Sequence, residues 1–199
     1  RYPDADHCYC QGCRRRFEAA TGAPVTNWPA AVASGTALRA QWLAFRRAQI
    51  TRVVSEVRRV LDDTRPGVKV SAAVFREAPR DRDTIGQDWE TWCRAGYLDF
   101  VCPMNYTPHM DEFARITARQ RAWTGEVPLY PGIGFSTWSL EEPAVTLFEQ
   151  IQAARGAGAP PESSFGSSPA AVSSVNGAIP SKRPPALAVI ASASSAVLP

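Results

Sequence analysis

Val68-Lys69-Val70-Ser71-Ala72-Ala73-Val74-Phe75 is apolar nearly throughout toward its end, as a strand buried on both faces is. What flanks it decides the fold class. Upstream, Leu38, Trp42, Phe45, Gln49/Ile50, Val53, Val57 and Val60/Leu61 recur every three or four residues. Arg39, Arg46, Arg47, Arg52, Arg58 and Arg59 fall on the other faces, so the spacing predicts one long helix. Asp62-Asp63-Thr64-Arg65-Pro66-Gly67 stops it with Pro and Gly. Downstream the unit repeats. A helix around Gln87 to Ala95 ends at Gly96, and Tyr97 to Met104 (YLDFVCPM) reads as a second buried strand. Met110 to Trp123 is helical with Phe113, Ile116 and Trp123 inward, and Val127 to Ile133 (VPLYPGI) is a third strand. Ser139-x-x-Glu142 is a capping box with Pro143 just inside a helix that runs to Arg155, with Val145, Phe148 and Ile151 on one face. Strands alternating with helices mark βαβ units and a parallel sheet, hence an α/β fold. Open doubly wound sheets and closed barrels both fit this periodicity.

The ends of the chain read differently. Residues 1–29 are polar, aromatic and rich in turn formers, with Pro3, Gly12, Gly22, Pro24 and Pro29 as punctuation. Residues 160–199 hold three charges, ten Ser and seven Pro, a composition with no means of burying a core. That segment reads as an irregular, low-complexity Ser/Pro/Ala-rich tail without order.

Of the 22 basic residues only Lys69 and Lys182 are lysines, and acidic residues are interleaved with the arginines at a net charge of +3. No uniformly basic face is expected, which argues against a nucleic-acid partner. The longest uncharged apolar stretch near the end, 184–199, is shorter than the roughly 20 residues of a spanning helix.

Five cysteines stand at 8, 10, 13, 93 and 102, an odd and lopsided set that is no disulfide framework. His7, Cys8, Cys10 and Cys13 have residue types that suit zinc, but structural zinc sites usually draw on two separated ligand pairs. No second pair is evident, so neither metal nor cofactor is assigned. The competing interpretation is a cysteine-rich loop whose thiols pack as small hydrophobes.

In parallel α/β architectures the ligand sits beyond the carboxyl ends of the strands. Those ends here read Arg1-Tyr2-Pro3-Asp4, Phe75-Arg76-Glu77, Pro103-Met104-Asn105-Tyr106 and Tyr130-Pro131-Gly132-Ile133-Gly134. Tyrosines, an amide, arginines and carboxylates together are sugar-binding chemistry: aromatic faces stack on sugar rings while amides and charges bond hydroxyls. Gln87-Asp88-Trp89 adds a carboxylate at a helix start, where it would also stabilise the helix dipole.

RYP, the CYCxxCRRRF loop, WP, the long helix, VSAAVFR, QDWETW, GYLDFVCPMNYT and LYPGIG, in that order, resemble the bacterial family-10 glycosyl-hydrolase-like proteins. The resemblance implies a (β/α)8 TIM barrel acting on glycans, in proteins commonly exported to the periplasm, cell envelope or exterior. It covers residues 1–159, which would supply about strands 5–7 with their helices as a fragment of the catalytic domain. Residues 160–199 would be the tail. Glycoside hydrolysis usually needs two carboxyl groups. Asp88 is the first candidate, Glu77 the second because it directly follows a strand end, and the partner carboxylate is expected upstream of Arg1. Arg1, Tyr2, Gln87, Trp89, Asn105, Tyr106 and Tyr130 would contact the carbohydrate substrate. The alternative is a non-catalytic glycan-binding domain on the same barrel.

Overall fold

A computed structural model describes residues 1–134, 143–157 and 187–190. The elements in chain order are α1 (Gln11–Thr21), a 3-10 turn (Ala30–Val32), α2 (Arg39–Thr64), β1 (Lys69–Val74), α3 (Ala78–Ile85), α4 (Trp89–Arg94), β2 (Phe100–Pro103), α5 (Met110–Thr124), α6 (Pro143–Gly156) and β3 (Leu187–Ile190). No helix among the described residues is long and apolar enough to cross a membrane.

The expected parallel sheet is present. β1 pairs with β2 from Ser71↔Phe100 to Val74↔Pro103. The third expected strand bonds to the other edge of β2 through bridges Val101↔Leu129 and Met104↔Gly132. Tyr130 N–H donates to the Val101 carbonyl (2.9 Å) and Gly132 N–H to that of Pro103 (2.8 Å). Pro103 of β2 has no N–H to donate to the Tyr130 carbonyl, so the ladder is interrupted between the two bridges. Successive strands are therefore neighbours, β1 beside β2 beside 129–132. The opposite edge of β1 is covered by β3, which pairs in parallel from Lys69↔Leu187 to Ala72↔Ile190. β3 lies in the segment that the composition marks as an irregular tail; the rest of 160–199 lies outside the described residues, as does the Ser139 capping box.

One face of the sheet makes the main core. Val70, Ala72 and Val74 of β1 and Val101 of β2 pack with Leu129, Val54, Trp89, Trp92 and Leu98. A second core lies under the N-terminal segment, where Phe17, Val25, Val32, Trp42 and Phe45 are buried with Cys13. Trp42 is its hub, with ring centroids 5.2 Å from both Phe17 and Trp28, 5.5 Å from Phe45 and 5.9 Å from Tyr9.

Several local expectations need correction. The cysteine segment expected as a loop runs straight into helix α1, which ends at Gly22 in the left-handed conformation (φ 73°). The helix expected from Gln87 begins at Trp89, and a separate helix, α3, precedes it. α3 has Pro79 in its first turn and Gly86 (φ 77°) just past its end, both boundary signals, but its APRDRDTI sequence carries no apolar stripe. In the second half of α2 Val54 is buried, while Val53 (57% exposed) and Val60 (41%) face out. Arg46, assigned to an outer face, is 1% exposed. On α6, Val145 and Phe148 are exposed and Gln150 is buried, its amide donating to the Thr107 carbonyl at 2.9 Å.

Candidate functional site

Both β1 and β2 release the chain at the same end of the sheet, and the residues that follow form a rim. Ligands in parallel α/β sheets gather at that end. The opposite end serves stability: Asp99, just before β2, accepts from Val70 N–H (2.7 Å), Arg58 Nη1 (2.9 Å) and Lys69 Nζ (3.3 Å).

The N-terminal segment reaches the rim because Arg46 holds it there. This buried guanidinium donates to the carbonyls of Asp4, Ala5 (3.0 Å) and Thr84 (3.4 Å), and lies 4.2 Å over the Tyr2 ring. Tyr2 N–H donates to the Ile85 carbonyl at 3.0 Å. Its ring sits against Gly86, where a Cβ would stand 3.0 Å from Ile50 and 3.5 Å from Tyr2 itself. Burial raises the Tyr2 hydroxyl above the ordinary tyrosine range. One residue earlier, the Arg1 guanidinium covers the Phe75 ring at 4.8 Å. Arg1, Tyr2 and Phe75 thus come together as a cation and two aromatics at the end of β1.

Glu77 receives both carboxylate bonds from a single nitrogen, Nη2 of Arg119 on α5, at 2.7 and 2.8 Å. Its neighbour Arg76 pairs with Glu112 at 3.2 Å, and Glu112 accepts from the Thr107 hydroxyl, a bond that holds its carboxyl below the usual range. Asp88 stands at the N-cap position of α4, yet its side chain makes no capping bond. It faces Arg47 of α2 instead, Oδ2 to Nε 3.7 Å. The two candidate carboxylates therefore engage different helices.

Three expected sugar contacts are turned inward. Gln87 is 4% exposed, and its Oε1 accepts from Phe75 N–H at 2.9 Å. Trp89 is fully buried: its indole N–H donates to the Phe75 carbonyl (3.1 Å) and its ring meets Trp123 edge-on at 5.4 Å. Asn105, also fully buried, exchanges two 2.7 Å bonds with the amide of Gln120. These three shape the rim from beneath. Tyr106 is 50% exposed, with its ring against Gly132, where a Cβ would lie 3.2 Å from it. Tyr130 meets Phe100, the first residue of β2, edge-on at 5.1 Å, so its ring leans away from the rim.

Phe75 and Arg76 belong to the strand-end motifs without a role assigned to either, and the strand-end reading passes over Glu112, Arg119 and Arg46. Glu112, Arg119 and Arg46 enter through tertiary packing of helices and carry no local signal.

Cys8, Cys10 and Cys13 bring their sulfurs within 4.8 Å of one another at the start of α1. Cys13 N–H donates to Cys10 Sγ at 3.4 Å, and Nη2 of Arg16 lies 3.3 Å from Cys13 Sγ. The bond from Cys13 N–H, helped by the neighbouring thiols, lowers the Cys10 thiol to about 7, whereas burial pushes Cys13 up to about 11.

Residues 14–136, more than half of the chain, match the family model described as glycosyl hydrolase-like 10. No curated protein matches the chain.

Proposed function

The chain belongs to the glycosyl hydrolase-like 10 family, and from that premise we propose that the rim binds a polysaccharide or peptidoglycan-type glycan and that the protein hydrolyses its glycosidic bonds. The observation that carries this reading is the Arg1–Phe75 pair, two residues before Glu77 at the carboxyl end of β1. The guanidinium on the Phe75 ring presents hydroxyl-bonding N–H groups, and the half-exposed Tyr106 ring after β2 offers a face for sugar stacking. The sheet order, with 129–132, β2 and β1 as sequential parallel neighbours, supports a barrel-type scaffold whose working face is this rim.

Each candidate carboxylate stands beside a guanidinium, Glu77 with Arg119 at 2.7 Å and Asp88 with Arg47 at 3.7 Å. A two-carboxyl mechanism asks for a pair of such groups flanking the scissile bond. The same ion pairs favour a second reading, a non-catalytic glycan-binding rim in which both carboxylates serve packing.

The test uses the full-length protein with soluble polysaccharides and peptidoglycan glycan strands. Reducing ends released by the wild type, and lost roughly 10²–10⁴-fold in Glu77→Gln or Asp88→Asn with affinity retained, support hydrolysis. Binding without release supports the second reading. Neither binding nor release overturns both.

A further inference from the structure

We propose that Cys8, Cys10 and Cys13 form a three-thiolate zinc site, with water in the fourth position, that fastens the N-terminal segment to helix α1. The convergence of the sulfurs carries the argument. Four-coordinate zinc with Zn–S bonds of about 2.3 Å places its sulfurs about 3.8 Å apart. The three here lie within 4.8 Å of one another, so closing on an ion moves each by less than roughly 1 Å.

Hydrophobic packing does not account for this cluster. A thiol that acts as a small hydrophobe is buried. Cys13 is buried, but Cys8 is only partly so and Cys10 is exposed, and all three are free thiols. They converge at the edge of the second core, not inside it. The spacing explains how. Cys10 is the N-cap residue of α1 and Cys13 lies in its first turn, so one helical turn places both sulfurs on the same side. Cys8, two residues earlier and outside the helix, brings its sulfur to the same place.

The surroundings suit a site with an excess of negative charge. Three thiolates and a divalent ion carry a net negative charge, and the helix start and the Arg16 guanidinium, 3.3 Å from Cys13 Sγ, both face it. The N–H donor from Cys13 to Cys10 Sγ is the outer-shell bond that orients a ligating sulfur. A mechanical need exists as well. α1 has 11 residues and buries only Cys13 and Phe17, a marginal anchor for a helix this short. A metal bridging residues 8 to 13 would supply that anchor and hold the chain that leads from Tyr2 into the helix.

The experiment titrates the full chain, reduced with a phosphine, with zinc and then with cobalt. Expected are about one ion per chain, thiolate-to-cobalt charge-transfer absorption and a tetrahedral ligand-field band. Cys10→Ser, at an exposed position that removes no packing, should weaken binding by at least about tenfold. Cys93→Ser, remote from the cluster, should bind as the wild type does. Chelation should speed proteolysis between Tyr2 and Arg14 in the wild type and leave Cys10→Ser unchanged. Binding of less than about one-tenth of an ion per chain, or a Cys10→Ser variant with undiminished affinity, overturns the site. So does rapid closure to a disulfide among the three cysteines in place of metal uptake.

Discussion

Arg46 is the residue on which the position of the N-terminal segment depends, and Arg46→Met isolates its contribution. Methionine retains most of the apolar stem and removes the guanidinium. Two good bonds disappear, to the carbonyls of Asp4 and Ala5, along with a longer one of 3.4 Å to Thr84 and the stacking on Tyr2. A hydrogen bond to a charged donor contributes about 1.5–3 kcal/mol, and a cation over an aromatic ring about 0.5–2 kcal/mol. The two good bonds and the ring contact together come to about 3.5–8 kcal/mol. Two effects reduce that. Arg46 Nε is buried without a hydrogen-bond partner, a cost that the variant removes. Residues 3–6 are mostly exposed, so their freed carbonyls can turn to water. The expected loss is therefore about 3 kcal/mol, a large share of the roughly 5–15 kcal/mol that keeps a domain folded. Urea unfolding followed by tryptophan fluorescence reads it as a lower midpoint, and hydrogen exchange reads it as lost protection at the Tyr2 amide. Arg46→Lys, which keeps the charge but not the fork, should fall between. A loss under about 1 kcal/mol in Arg46→Met with Tyr2 still protected would refute the clamp.

Asn105→Ala breaks a fully buried pair of amide bonds with Gln120 and should cost about 2–3 kcal/mol, while Asn105→Ala/Gln120→Leu recovers part of that loss in a double-mutant cycle. Tyr106→Ala, at a half-exposed ring, should leave the melting temperature nearly unchanged and weaken glycan affinity, which calorimetry measures; unaltered affinity removes Tyr106 from the rim. Glu18 accepts from Val25 N–H (2.8 Å) and Arg14 Nε (3.0 Å), which hold its carboxyl below the usual range. Its contribution is therefore present above the unfolded glutamate value and lost as pH falls through the depressed folded one. Glu18→Gln should lose stability at neutral pH and converge with the wild type in acid, as thermal unfolding at a series of pH values would show.

The parallel α/β plan was legible in the sequence, because period-2 and period-3.6 patterns are local and each element announces itself. VKVSAAVF, YLDFVCPM and VPLYPGI all pair in parallel. The family was legible in the same way, from motifs contiguous in the chain. Which polar residues stay at the rim and which turn inward depends on tertiary packing. Gln87, Trp89 and Asn105 were expected to contact a sugar, yet the backbone of Phe75 and the amide of Gln120 claim them. Nothing within a few residues of Asn105 encodes Gln120, 15 positions on and one helix away. Arg46 shows the converse, a charge that periodicity puts in water and that three backbone carbonyls, 38 to 42 residues distant, draw into the interior. The cysteines fall between. Their spacing is printed in the sequence, but convergence of three sulfurs depends on where α1 begins, and a capping position filled by cysteine is not a signal that local propensity provides.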